Sequence, residues 1–265
     1  MQTTKFYIKK QMTTCDCQQT GSGQICVFST PSPDKEGPNE DAAALIMRDR
    51  NTVVLAIADG LGGQPAGAQA SEIAVKQVAA ACQDIDNPDV RATILNGIEK
   101  ANSKIIEQGS GSATTLAVAE VYGNNIRPYH IGDSVIMVIG QRGKIKLQTV
   151  AHSPVSYAVE AGLLDEGEAI HHQERHLVSN IVGSPEMRVE VGSPLSMSVR
   201  DTLLLGSDGL FDNLHIPEIV KIVRKGPLKK AAQQLISITR ERMSSSKPDE
   251  PSKPDDLSFI LYRHI

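Results

Sequence analysis

The sequence predicts an α+β fold in which helices pack outside antiparallel β-sheets. Three observations support this prediction. Short apolar runs alternate with polar turns in several parts of the chain, which indicates strands joined by hairpins. Two stretches with helical spacing of apolar residues, 66–83 and 88–108, interrupt these runs. Two more helical stretches, 217–223 and 228–243, precede a last apolar run.

The elements follow in a consistent order along the chain. The predicted strands are 25–28, 42–47, 52–58, 113–122, 126–131, 134–139, 144–150, 188–191, 202–205 and 257–262. The run from 113 to 150 contains three turn sequences and therefore predicts an antiparallel meander. Residues 1–24 are polar and form an N-terminal segment with a candidate first strand. We expect residues 25–265 to form a single domain.

The composition is that of an ordinary globular protein, with 40% apolar and 22% charged residues. The net charge of −4 argues against a nucleic-acid partner, which usually requires a basic surface. The sequence has no apolar run of signal-peptide or membrane-spanning length. We therefore expect a cytoplasmic protein that acts without a membrane, and we also expect it to be a monomer.

Four cysteines, at positions 15, 17, 26 and 82, give no CxxC pair and no disulfide-like ladder. Cys15 and Cys17 could form a metal or redox pair. Since no matching Cys/His set follows, we favour a reduced thiol pair in a cytosolic protein.

The stretch around Asp59 is unusual. An apolar strand, 55–58, ends abruptly on this acid, and Gly60, Gly62 and Gly63 follow. Glycines let the backbone turn sharply and approach an ion, so a hard cation could bind here. A tight turn whose Asp caps the next helix explains the stretch equally well.

Other acids occupy similar positions at strand ends. Asp41 begins strand 42–47, and Asp59 follows its hairpin partner, so these two should lie side by side. Asp133, Asp208 and Asp255 also lie in polar turns next to predicted strands. Such a cluster of like charges requires divalent cations, and all-oxygen ligands favour Mg²⁺ or Mn²⁺ over zinc. Turn-favouring aspartates explain each residue separately but explain the set poorly.

At this point the motifs resemble those of a known family. They are Asn39-Glu40-Asp41, Asp59-Gly60-Leu61-Gly62-Gly63, Gly111-Ser112-Ala113-Thr114, Gly132-Asp133-Ser134, Ser207-Asp208-Gly209-Leu210 and Asp255-Asp256-Leu257-Ser258. Their order resembles the bacterial form of the type-2C (PPM) metal-dependent Ser/Thr protein phosphatases. The match runs from about residue 25 to the C-terminus, and residues 149–183 look like the family's mobile flap.

The resemblance implies a four-layer α-β-β-α sandwich with two Mn²⁺ or Mg²⁺ ions at one end. It implies that Asp59 bridges both ions and that the Gly60 carbonyl binds one. Asp208 and Asp255 would bind the other ion, and Asp41 and Glu40 would act through water. Asp133 matches the acid of a third, weaker metal site. A water that bridges the two ions would attack phosphorus, so no Ser or Cys nucleophile is required.

Several positions depart from the family pattern. The phosphate-binding Arg is replaced by Glu36, so either the adjacent Lys35 takes over substrate binding or substrate binding is altered. The apolar Leu61 and Val135 stand where some members have His and Arg. His176 replaces an Asn or Ser after the flap's Arg175. His172 and His176 are spaced for joint metal ligation on a helix, but no third soft ligand is apparent, so we favour solvated flap residues.

The leading hypothesis is therefore a phosphoserine/phosphothreonine protein phosphatase whose substrate is a phosphoprotein linked to a cognate Ser/Thr kinase. The alternative is a catalytically weakened pseudophosphatase that binds phosphoproteins, suggested by Glu36. A hydrolase of small phosphate esters is a further rival. We favour the enzyme because Asp59, Asp208 and Asp255 are all retained.

Overall fold

The computed structural model describes residues 3–61, 66–84, 89–169, 172–174, 177–245, 247 and 250–265. The strands are β1 (Thr3–Ile8), β2 (Asp16–Gln19), β3 (Gly23–Thr30), β4 (Ala42–Met47), β5 (Thr52–Ala58), β6 (Gly60–Leu61), β7 (Ala113–Thr114), β8 (Leu116–Tyr122), β9 (Asn125–Ile131), β10 (Val135–Ile139), β11 (Ile145–Gln148), β12 (Glu190–Val191), β13 (Leu195–Ser196), β14 (Thr202–Gly206) and β15 (Leu257–His264). The helices are α1 (Ala66–Cys82), α2 (Val90–Glu107), α3 (Pro154–Glu160), α4 (Glu166–Ala169), α5 (Asp208–Phe211), α6 (Ile216–Val223) and α7 (Leu228–Ser244).

Most strands belong to two large antiparallel sheets. The first sheet has the order β1-β4-β5-β8-β9-β12, and β13 also pairs with β9. The second sheet has the order β11-β10-β14-β15-β3-β2. The short strand β6, which directly follows Asp59, pairs with β7 in a separate two-stranded sheet.

Three apolar clusters hold the layers together. One lies between the first sheet and helices α1 and α2, and another lies between the second sheet and helices α5 to α7. The third lies between the two sheets. The predicted α+β class and four-layer α-β-β-α order are therefore confirmed.

Strand β5 shows how the sequence specifies this arrangement. Leu55 and Ile57 point into the cluster between the sheets, whereas Val54 and Ala56 pack against the helices. Successive side chains of a strand point to opposite faces, so a strand in the middle of four layers must be apolar throughout. All seven residues of β5 are buried, as this geometry requires.

The elements that carry the site agree closely with the sequence prediction. Strands β4 and β5 have the predicted boundaries, and helices α1 and α2 differ by one or two residues at their ends. The predicted strand 113–122 is divided at Thr115, whose hydroxyl accepts a hydrogen bond from the Asp59 amide. The break between the two strands therefore helps to position Asp59.

The described part of the N-terminal segment is built into both sheets. Strand β1 pairs with β4 at one edge of the first sheet, and β2 pairs with β3 in the second. Residues on edge strands are partly solvated, so their sequences can be polar. An ion pair between Lys5 and Asp16 links the two strands.

The cysteine prediction is wrong. Cys17 is bonded to Cys26, while Cys15 and Cys82 are free and buried. The antiparallel register of β2 and β3 places Cys17 directly opposite Cys26, with their Cα atoms 4.1 Å apart. This pairing could not be derived from the sequence, because the polar stretch that forms β2 does not read as a strand.

We expect reduction of this disulfide to lower the free energy of unfolding by about 2–3 kcal/mol, because the bond closes a short loop of the unfolded chain. Urea unfolding with and without a reductant would measure the difference. A Cys17→Ala/Cys26→Ala double variant is the control and should not respond to the reductant. An unchanged midpoint for the wild type, or four reactive thiols in the unfolded non-reduced protein, would contradict this expectation.

Among the described residues, none of the helices combines the length and the apolar character needed to cross a bilayer.

Candidate metal and phosphate site

The first sheet brings Asp41 and Asp59 together. Ala42 pairs with Ala58 in the β4–β5 register, so the two acids extend from adjacent strand ends. The backbone of Asp59 is fixed on the other side by the chain before β8. The Asp59 carbonyl accepts hydrogen bonds from the Thr114 hydroxyl at 2.7 Å and the Thr115 amide at 2.9 Å.

The second sheet supplies the other three acids at the same end of the sandwich. Val135 pairs with Gly206, so Asp133 and Asp208 flank neighbouring strand ends. Asp255 lies two residues before β15, which pairs with β14. The Ser207 hydroxyl donates a hydrogen bond of 2.9 Å to Asp41 Oδ2 and so connects the two sheets at the site.

The raised pKa values of the acids show that their negative charges repel one another. Burial raises the pKa of Asp59 well above its ordinary value, and the charges of Asp41 and Asp208 raise it further. Burial and the charge of Asp256 raise the pKa of Asp41. Burial and the charge of Asp208 raise the pKa of Asp133 to about 7 and also raise the pKa of Asp255. Such a site favours a bound cation.

Two buried carboxylate oxygens indicate what kind of ligand fits. Asp41 Oδ1 and Glu40 Oε1 have no hydrogen-bond partner among the described residues. A buried charged oxygen without a partner is costly, and a hard divalent cation would stabilise it directly or through water. The donor set therefore fits Mg²⁺ or Mn²⁺.

Close backbone packing explains the glycine after Asp59. A Cβ atom on Gly60 would lie 2.2 Å from the Gly67 carbonyl oxygen, and one on Gly67 would lie 2.4 Å from Glu40 Oε1. Only glycine at both positions lets the start of α1 lie against the strand end that carries Asp59. Gly62 and Gly63 lie outside the described residues.

The carboxylates nevertheless do not converge tightly. Within the described ranges, the groups of three metal-ligating side chains whose donor atoms all lie within 4.8 Å are two others: Cys15 with Cys17 and Cys26, and His130 with His152 and Glu190. The first group contains the disulfide. In the second, His130 Nε2 lies 2.9 Å from the Val150 carbonyl oxygen, a hydrogen bond that occupies this ring nitrogen.

Lys35, the predicted substrate-binding residue, lies beside the acid cluster and is paired with carboxylates. Its ammonium lies 2.6 Å from Glu40 Oε2 and 2.6 Å from Asp256 Oδ2. Asp256 also accepts hydrogen bonds from the backbone amides of Ser32 and Glu40. Glu36 is exposed on the same loop. Asp256, to which the sequence assigned no role, thus anchors this loop to the site.

Lys253 is the residue that sequence reasoning missed. Its ammonium lies 2.6 Å from Asp208, 2.8 Å from Asp212 and 3.1 Å from Asp255. Burial by itself would lower the pKa of Lys253, but the three carboxylates outweigh this effect and raise it. The available signal was its position two residues before Asp255.

Residues of the predicted flap border a groove next to the acids. The groove has a volume of about 600 Å³, and its lining includes Asp133, Asp208 and Asp212 together with the α3 residues Val155 and Ser156. His152 anchors the start of the predicted flap, since its Nδ1 accepts a hydrogen bond of 3.0 Å from the Gly132 amide.

The histidine pair of the flap is only partly described. His172 Nδ1 accepts a hydrogen bond of 3.1 Å from the Glu174 amide. Arg175 and His176 lie outside the described residues.

Comparison with known proteins identifies the family and the fold. A family model described as Protein phosphatase 2C matches residues 33–248. Protein phosphatase PhpP from Streptococcus pneumoniae is 33% identical over 213 residues, which cover 76% of this chain and 85% of PhpP. The serine/threonine phosphatase of S. agalactiae superposes with a TM-score of 0.80 at 26% identity and covers 92% of this chain and 100% of its own.

The fold is also that of the catalytic domain of the serine/threonine protein phosphatase PstP, solved in complex with two manganese ions. Its TM-score is 0.74 at 23% identity, with 92% of this chain and 99% of that chain covered. The family match, the PhpP relative and the acid cluster lead to one conclusion. This chain belongs to the bacterial type-2C family of metal-dependent serine/threonine protein phosphatases.

Proposed function

We propose that this phosphatase hydrolyses phosphoserine and phosphothreonine on proteins with two Mn²⁺ or Mg²⁺ ions, in opposition to a cognate Ser/Thr kinase and as a monomer. The observation that carries the proposal is the meeting of Asp41 and Asp59 with Asp133, Asp208 and Asp255 at one end of the sandwich. When bound, the ions supply a water of lowered pKa and neutralise charge on the phosphoryl oxygens.

The protein's own part is to hold and orient these groups. Asp59, Asp208, Asp255 and the Gly60 carbonyl are the proposed direct ligands, and Asp41 and Glu40 are the proposed water-mediated ones. Ser207 orients the Asp41 carboxylate, and Thr114 with Thr115 fixes the Asp59 backbone. Asp133 is the proposed ligand of a third, weaker ion. The Asp41 side chain is buried, which removes its carboxylate from bulk water and strengthens its electrostatic effect.

Substrate recognition is assigned to the loop that carries Lys35 and to the groove beside the flap. The groove is large enough to accept a phosphorylated side chain with part of its peptide, and its wall includes Asp133 and Asp208. Because the Lys35 ammonium is paired with the carboxylates of both Glu40 and Asp256, the metal ions would supply the remaining positive charge that a phosphate requires.

Turnover of a phosphothreonine peptide and of p-nitrophenyl phosphate, each with Mn²⁺ and with EDTA, tests the proposal. We expect Mn²⁺-dependent hydrolysis of both, with a higher kcat/KM for the peptide. A preference for the small ester would favour the small-molecule hydrolase. Phosphopeptide binding without any turnover would favour the pseudophosphatase.

Glu36→Arg tests the position at which this chain departs from its family. We expect KM for a phosphothreonine peptide to fall by about tenfold, because a repelling carboxylate becomes a bidentate phosphate ligand. Steady-state kinetics would measure it, with Glu36→Gln as the control that removes the charge without adding a ligand and should show a smaller fall. The same KM in all three proteins would mean that residue 36 does not face the phosphate.

A further inference from the structure

Lys253 places an ammonium group among carboxylates that are expected to hold metal. Asp208 and Asp255, two of its three partners, are proposed ligands of the same ion. Only 23% of the Lys253 side chain is exposed, so most of its length is removed from water. A compact cation at hydrogen-bond distance from three carboxylates neutralises part of the charge that an ion would otherwise neutralise.

The main chain of Lys253 is fixed, so the position of the ammonium is a property of the fold. The side-chain oxygen of Asn213 accepts a hydrogen bond of 2.8 Å from the Lys253 amide, and its Nδ2 donates one of 2.8 Å to the Lys253 carbonyl. Asn213 is completely buried and also donates to the Gly209 carbonyl at 2.9 Å. The loop that carries Lys253 is thus tied to helix α5, which carries Asp208.

Asp212 gives the ammonium a partner that is not a proposed metal ligand. Asp208 and Asp212 are four residues apart, at the start and just after the end of α5, and Lys253 spans both. An ammonium that leaves Asp208 and Asp255 can therefore keep its ion pair with Asp212 and remain in the site.

We propose that Lys253 is a built-in cation that competes with divalent metal for Asp208 and Asp255, and so sets the metal concentration at which this ion site fills. The inference rests on the proposed function, because it takes these two acids as ligands. Lys253 is a positioning and affinity-setting residue here, and it does not bind the substrate. A metal ion must displace the Lys253 ammonium from the two carboxylates before it can bind. The apparent metal affinity therefore falls as the fraction of protein in which the ammonium occupies the site rises.

Mn²⁺ titration by isothermal calorimetry, without substrate, tests the competition. We expect Lys253→Met to bind Mn²⁺ at the Asp208–Asp255 site at least about tenfold more tightly than the wild type does. Lys247→Met is the matched control, since Lys247 lies near the same loop, is 51% exposed and pairs with Glu241 and Glu250. It should bind Mn²⁺ like the wild type. Equal or weaker binding by Lys253→Met would overturn the competition.

A second measurement uses the wild-type protein and does not depend on the folding of a variant. Acetylation of lysines by N-hydroxysuccinimidyl acetate, followed by peptide mass spectrometry, reports how freely each amine reacts. We expect Mn²⁺ to increase the rate at Lys253 several-fold and to leave Lys247 unchanged. An unchanged rate at Lys253 in Mn²⁺-saturated protein would overturn the inference but not the proposed function. Failure of both wild type and Lys253→Met to bind Mn²⁺ would overturn both.

Discussion

Asp59→Asn is expected to lower turnover of a phosphothreonine peptide by on the order of 10³-fold, because metal-assisted charge stabilisation is worth several kcal/mol. Asp59 is the acid on which the charges of Asp41, Asp133, Asp208 and Asp255 all act. An amide is a weaker ligand for a hard divalent cation than a carboxylate is. Steady-state kinetics at saturating Mn²⁺ would measure the loss.

The same substitution is expected to keep or raise the melting temperature of the metal-free protein. The neutral amide removes repulsion from Asp41 and Asp208, and its nitrogen donors can pair with their carboxylates. Asp34→Asn is a suitable control, since Asp34 is an exposed acid on the Lys35 loop. Wild-type turnover by Asp59→Asn, or a loss of activity that follows only from unfolding, would contradict the assignment.

Metal removal is expected to make stability fall as pH rises from about 4 to about 7. The pKa of Asp133 is raised from 3.8 to about 7, so the folded protein binds this proton more tightly than the unfolded chain does. Protonation therefore stabilises the fold at low pH, and this contribution is lost as pH rises through that window. Asp41, Asp59 and Asp255 shift in the same direction.

Other groups oppose this trend, so the test is a difference between two proteins. His130 is buried, and burial lowers its pKa, so its protonation destabilises the fold at low pH. Hydrogen bonds and ion pairs outweigh burial and lower the pKa of Asp16, and an ion pair with Arg242 lowers the pKa of Glu218. These two ionised carboxylates therefore stabilise the fold, and their contribution is lost below about pH 4. Asp133→Asn keeps these contributions and removes that of Asp133.

We expect metal-free wild type to lose about 2 kcal/mol more than Asp133→Asn between pH 5 and pH 7.5, or about 5 °C in Tm. Thermal unfolding in EDTA at several pH values would measure this. Saturating Mn²⁺ should remove the difference, because the cation then stabilises the ionised carboxylates. Parallel pH profiles for the two metal-free proteins would contradict the raised pKa of Asp133.

The sequence by itself determined the layers and the ends of the strands that carry the acids. Strands β4 and β5 could be read directly, because a strand buried on both faces is an uninterrupted apolar run with polar breaks at its ends. The place of Asp41 beside Asp59 followed from a short hairpin. Local pattern is sufficient where neighbours in space are also neighbours in the chain.

Only the tertiary structure decided the contacts between distant segments. Cys17 meets Cys26 through the register of an edge strand whose polar sequence carries no strand signal. Lys253 meets Asp208 and Asp212 because a buried asparagine ties two loops that are 40 residues apart in the chain. Such ion pairs depend on which distant segments lie close together in the folded chain. No periodic pattern in the sequence indicates these contacts. The acids of the site were therefore predictable, while the cation that lies among them was not.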